Sequence, residues 1–246
     1  MPRAIAAATR ALQIDERIAQ AHFALGYARL MYDHDWAGAA RELKRGIDLA
    51  PNAATFWYGA YLAAVGRTDE AIAEAKRAQT LDPLSPTTAA GVAWMSHLAH
   101  RYDQAIEFAR KAVELDPSFA IGHGRLGFAY ALTNRSREAV AEFERAVAAS
   151  NDSPSNLAGL AWAHALGGDR QRAQSIVTSL MERSTREYVP AYELAVAYIG
   201  LGRSDEAIAW LERAYDEHAW GLAHIKVDPP LDPLRADPRF QQILRG

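Results

Sequence analysis

The chain contains no cysteine, which removes disulfide staples and thiolate chemistry and leaves the redox compartment undiagnosed. It has little net charge: 27 lysines and arginines against 30 aspartates and glutamates leave −3. A general binder of nucleic acid or of an anionic membrane needs a basic face, so neither is an expected partner. No apolar run approaches the roughly 18 residues that span a bilayer. The N-terminus lacks a clear signal peptide, because Arg10 interrupts its short alanine-rich run, and the expected location is cytoplasmic. No Ser/His/Asp arrangement, glycine-rich phosphate loop or isolated carboxylate pair stands out. No enzyme activity, cofactor or metal is therefore expected.

What the chain has is alanine, a hydrophobic half, and a period. Residues 120–153 are its ruler, reading AIGHGRLGFAYALTNRSREAVAEFERAVAASNDS. Leu126 and Gly127 are followed by Tyr130, then by Ala139, Phe143 and Ala146 at steps of four and three. This spacing predicts two helices, 120–133 and 136–149, joined by a turn at Asn134 and Arg135. Gly127 and Ala139 are small where the helices approach, and Leu126, Tyr130 and Phe143 fill the space around that contact. The small alanine opening the second helix recurs at Ala4, Ala39, Ala71, Ala105, Ala139, Ala173 and Ala207, at steps of 35, 32, 34, 34, 34 and 34. A loop-closing position recurs with it: Glu16, Pro51, Pro83, Pro117 and Asn151. A two-helix hairpin cannot bury its apolar face alone, so copies must stack on either side.

With His123 in the Trp place, the ruler follows the W-x₂-L-G-x₂-Y…A-x₃-F pattern, and over residues 4–221 the chain resembles the tetratricopeptide repeat family. The resemblance implies an all-α fold, an α-solenoid of stacked helix-turn-helix repeats forming a right-handed superhelix. Its expected parts are residues 1–18, the second helix of a truncated or capping repeat; six repeats at 19–51, 52–85, 86–119, 120–153, 154–187 and 188–221; and a C-terminal cap at 222–246. The lone first segment is expected either of a chain cut from a longer protein or of a native capping helix. In the cap, Pro229, Pro230, Pro233 and Pro238 forbid a long helix. An irregular strap over 225–236 is expected, then a short helix over 238–244 capped by Asp237, with Phe240, Ile243 and Leu244 covering the last repeat.

Candidate sites are weighed against this frame. Gly122, Gly124 and Gly127 match G-x-G-x-x-G by letter, but they fall inside a predicted helix with no strand before it, which excludes a dinucleotide turn. Asp33, His34 and Asp35, and the pair His97 and His100, lack the two-part spacing of a metal site and read as a polar turn and a helix end. Glu138, Glu142 and Glu144 read as a solvated helix face. In the family the first helices line the concave surface, with two inward rows. Here one row holds Tyr27, Ala60, Trp94, Phe128, Trp162 and Val196; the other holds Phe23, Phe56, Ala90, Gly124, Ala158 and Tyr192. Trp94, Phe128 and Trp162 make an aromatic row, Gly91, Gly124 and Gly159 are expected to leave room beside it, and His97 and Arg125 add polar groups. The expected groove is therefore Phe23, Tyr27, Phe56, Trp94, His97, Arg125, Phe128, Trp162 and Tyr192. Large aromatics with few charges suit an interface centre. The bland alternative is that they pack on small neighbours and narrow the groove.

The residues Tyr32-Asp33-His34-Asp35-Trp36-Ala37-Gly38-Ala39 and the ending from Trp210 through Lys226-Val227-Asp228-Pro229 to Asp237-Pro238-Arg239-Phe240 resemble the C-terminal repeat region of large bacterial signalling proteins. Those proteins carry a winged-helix, Ser/Thr kinase or cyclase domain upstream. The carboxylate clamp of some tetratricopeptide proteins is absent, since its places hold Phe23, Tyr27, Ala60, Ala90 and Trp94, leaving only Arg125 as an anion contact. The resulting expectation is a non-catalytic interaction or sensor module that binds a peptide or protein segment in the aromatic groove, with alanine at any anchor weakening binding by about 1–2 kcal/mol or more. Two alternatives stay open. One is a spacer or homo-oligomerising module, its groove empty or filled by its own tail. The other is a small-molecule sensor with a closed pocket around Trp94 and Trp162.

Overall fold

The computed structural model describes residues 2–50, 53 and 56–245. Among these the chain is all-α. Helix α1 (Pro2–Ile14) stands alone, and six antiparallel pairs follow: α2 (Ala19–Ala28) with α3 (Trp36–Leu49), α4 (Phe56–Ala64) with α5 (Thr68–Leu81), α6 (Pro86–Leu98) with α7 (Tyr102–Leu115), α8 (Ala120–Leu132) with α9 (Ser136–Ala149), α10 (Pro154–Leu166) with α11 (Arg170–Arg183), and α12 (Ala191–Gly200) with α13 (Ser204–Asp216). Each pair packs on the next, which is the α-solenoid expected from the period. Pro51 lies outside the described residues.

The period has a packing cause. Ala39, Ala71, Ala105, Ala139, Ala173 and Ala207 are all fully buried at the inter-helix contact. In the ruler repeat, a Cβ on Gly127 would come within 2.8 Å of the Phe143 ring, so only glycine lets α8 and α9 approach. A second periodic feature lies in the turns. His34, Gly66, His100, Asn134, Gly168 and Gly202 each take positive φ, one per helix pair. His34 and His100 are thus turn residues at the place that glycine or asparagine fills elsewhere. The first turn is longer because α2 runs on through a π turn, Arg29–Asp33, before Asp35 caps α3 by accepting the Gly38 N–H at 2.8 Å.

The solvated reading of Glu142 is corrected. Glu142 is 8% exposed, accepts from His123 Nδ1 at 2.6 Å and pairs with Arg145, while His123 Nε2 meets the Pro117 carbonyl at 3.0 Å. His22 repeats the arrangement, with Nδ1 on Glu42 at 2.7 Å and Nε2 on the Glu16 carbonyl at 2.9 Å. Where the Trp place is Ala89, Leu157 or Ala191, the partner place is Phe108, Ile176 or Trp210. A buried histidine here requires a carboxylate opposite it, because its ring nitrogens must be satisfied.

The tail departs most from expectation. After α13, two 3₁₀ turns, Trp220–His224 and Pro229–Leu234, precede α14 (Pro238–Ile243), which Asp237 caps through the Arg239 N–H at 2.8 Å. Phe240, Leu231 and Leu234 are buried against the last repeats. The strap itself also crosses the concave face to the start of the array. His218 stacks on Tyr32 and bonds the Tyr32 carbonyl at 2.9 Å, His224 Nε2 bonds the Ala60 carbonyl at 3.0 Å, and Lys226 lies over Trp36. Ala223 sits in the core of the early repeats. The tail therefore fills part of the groove and ties the first repeats to the last.

Candidate ligand pocket

Beneath the strap a cavity of about 320 Å³ remains. Its lining follows helical period on α8, where Ile121, Gly124, Arg125 and Phe128 share one face. α6 adds Trp94, His97 and Leu98; the start of α10 adds Ser153, Ser155 and Asn156; α12 adds Tyr192, Glu193 and Val196; the strap adds Trp220, Gly221, His224, Asp228 and Pro230. Ile121 and Trp220 are exposed and mark the mouth.

Of the nine residues expected to line the groove, five reach this cavity: Trp94, His97, Arg125, Phe128 and Tyr192. The other four pack elsewhere. Phe23 presses on Gly46, where any Cβ would overlap its ring. Tyr27 lies 4.2 Å from Trp57, centroid to centroid. Phe56 stacks on Trp94 at 5.5 Å. Trp162 is 3% exposed, against Phe128 at 5.4 Å and with its Cδ1 2.7 Å from where a Gly200 Cβ would stand. The room expected at the glycines is also reassigned. Gly159 is required by Phe143 and Gly91 faces Phe56; of the three, only Gly124 lines the cavity.

Glu193, Asp228, His224 and Ser155 were not anticipated. Glu193 carried a usable signal, as the sole charge in the apolar helix AYELAVAYIG. Asp228 and His224 carried none, because only the path of the strap brings them here.

The polar groups form one network. Asp228 accepts from His97 Nε2 at 3.1 Å and from the Tyr192 hydroxyl. Burial alone would raise its carboxyl, but the His97 hydrogen bond and charge, with the Tyr192 bond, hold it below the usual carboxylate range. The same burial, with the Asp228 charge, drives the Tyr192 phenol well up. Burial raises Glu193 to about 7, assisted by Asp228 and opposed by Arg125 and a Ser155 hydrogen bond. It lowers His224 to about 4 and the Arg125 guanidinium to about 10, the latter against the pull of Asp228 and Glu193. Arg125 lies over the Trp94 ring, 4.8 Å from its centroid, and the His224 ring meets Trp94 edge-on at 4.7 Å. Among the described residues, no group of three His, Cys, Asp or Glu is placed to hold a metal ion, and no helix is long and apolar enough to cross a membrane. The site offers donors, acceptors and aromatic faces.

Comparison with known proteins agrees with the helical pattern. One tetratricopeptide repeat model matches residues 29–86 and 99–154, and a second matches 191–217. No curated protein matches the chain. Among solved structures, a thermophilic TPR protein of Thermus thermophilus is 24% identical over 77% of this chain and 96% of its own, with a TM-score of 0.54. PilW, a type IV pilus biogenesis factor, is 16% identical over 92% of this chain and 98% of its own, at 0.61. Human IFIT1, solved as a dimer with m7Gppp-AAAA, is 16% identical over 99% of this chain and 60% of its own, at 0.68. At these identities the likeness is one of fold.

Proposed function

This chain belongs to the tetratricopeptide repeat family, and from that premise we propose that it is a non-catalytic sensor module that holds a compact ligand in its concave pocket. Proteins of this family generally mediate protein–protein interaction. The observation that carries the reading is the path of the strap. Its contacts run along the groove from Tyr32 to His97, and it leaves a cavity of about 320 Å³ beneath it. That volume lies at the lower end of the roughly 300–1,000 Å³ of small-ligand sites. An extended segment along the whole groove would have to displace residues 220–234, whose bonds reach Ala60, His97 and Tyr192. Placement within a larger bacterial signalling protein is part of the same proposal and rests on the residue patterns at 32–39 and 210–240.

The test is ligand-induced stabilisation. A library of compact compounds is screened by thermal unfolding on the wild type and on Val196→Trp, which fills the cavity. A true ligand raises the midpoint of the wild type and leaves the variant unmoved; at a hundred times its Kd it contributes about 2.7 kcal/mol. If every stabilising compound acts equally on both proteins, the pocket is not the site.

A further inference from the structure

The pocket holds unused hydrogen-bonding capacity of two kinds. The first is donor capacity beside positive charge. The Arg125 guanidinium lies over the Trp94 ring, and among the described residues none of its N–H groups has a hydrogen-bond partner. Next to it α10 begins at Ser153, whose side chain makes no cap bond. The first-turn N–H groups of Ser155 and Asn156 have no intrahelical acceptor, and the helix dipole adds partial positive charge there.

The second kind is acceptor capacity. His224 is 2% exposed and uses Nε2–H on the Ala60 carbonyl, so Nδ1 carries a lone pair, and that atom has no partner. Nδ1 of His97 is also buried and unpartnered. Glu193 is 6% exposed, accepts a hydrogen bond from Ser155 and forms no ion pair among the described residues, which leaves further lone pairs on its carboxyl. The same cavity has apolar walls, among them Phe128 and Val196.

Each simpler ligand leaves one side unmatched. A plain anion would face the Asp228 carboxylate and the acceptor oxygens of Glu193. A plain cation would face Arg125. A neutral apolar molecule would leave both the arginine donors and the imidazole acceptors unsatisfied, which is costly in a buried site. We propose that the pocket, on the sensor reading above, binds a free α-amino acid with an apolar side chain. Its carboxylate lies on Arg125 and the first turn of α10, its ammonium between Glu193 and the His224 imidazole, and its side chain against Phe128 and Val196. Nothing is transformed; the pairing is purely recognition.

The experiment is calorimetric titration of the full chain with L-leucine and with L-phenylalanine, beside the N-acetylated and amidated forms of each. At least one amino acid is expected to bind saturably, with each of its two derivatives at least tenfold weaker. Arg125→Gln and Glu193→Gln are each expected to weaken it at least tenfold with an unchanged circular dichroism spectrum. Glu193→Gln is nearly isosteric and keeps the test intact should Arg125→Gln fail to fold. Equal binding of a derivative, unchanged affinity in the variants, or no saturable heat with either amino acid would overturn the inference. The Val196→Trp screen separates the two ideas. Compounds that are not amino acids but stabilise only the wild type keep the pocket and remove the amino acid; an empty screen removes both.

Discussion

Glu193→Gln should make the stability of this chain fall more steeply with acid, and His224→Gln should do the reverse. Both groups are almost fully buried in the same cavity, yet burial acts on them with opposite sign. The Glu193 carboxyl, ordinarily at 4.5, is raised to about 7, so between those values the folded chain holds a proton that the unfolded chain has released. Stability contributed by Glu193 therefore declines as pH rises through that window. The His224 ring, ordinarily at 6.5, is lowered to about 4, so there the unfolded chain takes a proton that the folded chain refuses. Its contribution is complete above 6.5 and is lost as pH falls toward 4. At 1.36 kcal/mol per pH unit, each displacement amounts to about 3 kcal/mol, and in the wild type the two offset one another across the shared window. Glu193→Gln leaves only the histidine and should add about 3 kcal/mol at pH 8 relative to the wild type. His224→Gln, which keeps a donor for the Ala60 carbonyl, leaves only the glutamate. The assay is urea unfolding at a series of pH values, read as the slope of extrapolated stability against pH rather than as its absolute value. If both variants keep the wild-type slope, neither group titrates as its burial requires and the electrostatic picture of the pocket is wrong.

Other outcomes follow from the packing. Asp228→Ala strands the His97 N–H and the Tyr192 hydroxyl, both buried, and should cost about 2–5 kcal/mol in urea unfolding. Gly159→Ala overlaps the Phe143 ring and should lower stability by about 1–3 kcal/mol, whereas Gly91→Ala meets Phe56 at an ordinary 3.4 Å and should be neutral or stabilising by up to about 1 kcal/mol; thermal unfolding of the pair checks the sign. Glu142→Ala should destabilise by about 1–3 kcal/mol through His123, and the double substitution His123→Leu with Glu142→Ile, which copies the Leu157 and Ile176 places, should recover most of that loss in a double-mutant cycle. Trp162→Ala should act as a core deletion of about 3–5 kcal/mol, seen in the unfolding midpoint before any binding assay.

Much of the array is legible in single residues. The buried alanines of the second helices mark every pair, because only a small side chain fits where two helices cross. The turn at Asn134 is legible as well. The inward rows of the family pattern name Trp94, Gly124, Phe128, Tyr192 and Val196 of the pocket. They could not separate a residue that faces a cavity from one pressed on a neighbouring glycine, as Trp162 is on Gly200 and Phe23 on Gly46. Glu142 escaped for a related reason: its charge reads as surface until His123, nineteen positions earlier, is seen to lie opposite it.

By itself the sequence determined the repeat, the helix pairs and their turns, since these rest on contacts within one hairpin and between adjacent hairpins, a few tens of residues apart. It also determined that a short capped helix follows Asp237. The path of the strap was decided only by the tertiary structure. His218 and Tyr32 stand 186 positions apart, and His224 and Ala60 stand 164 apart. No local period couples such pairs; only the curvature accumulated over six repeats brings them together, and with them Asp228, Glu193 and Arg125 around one cavity.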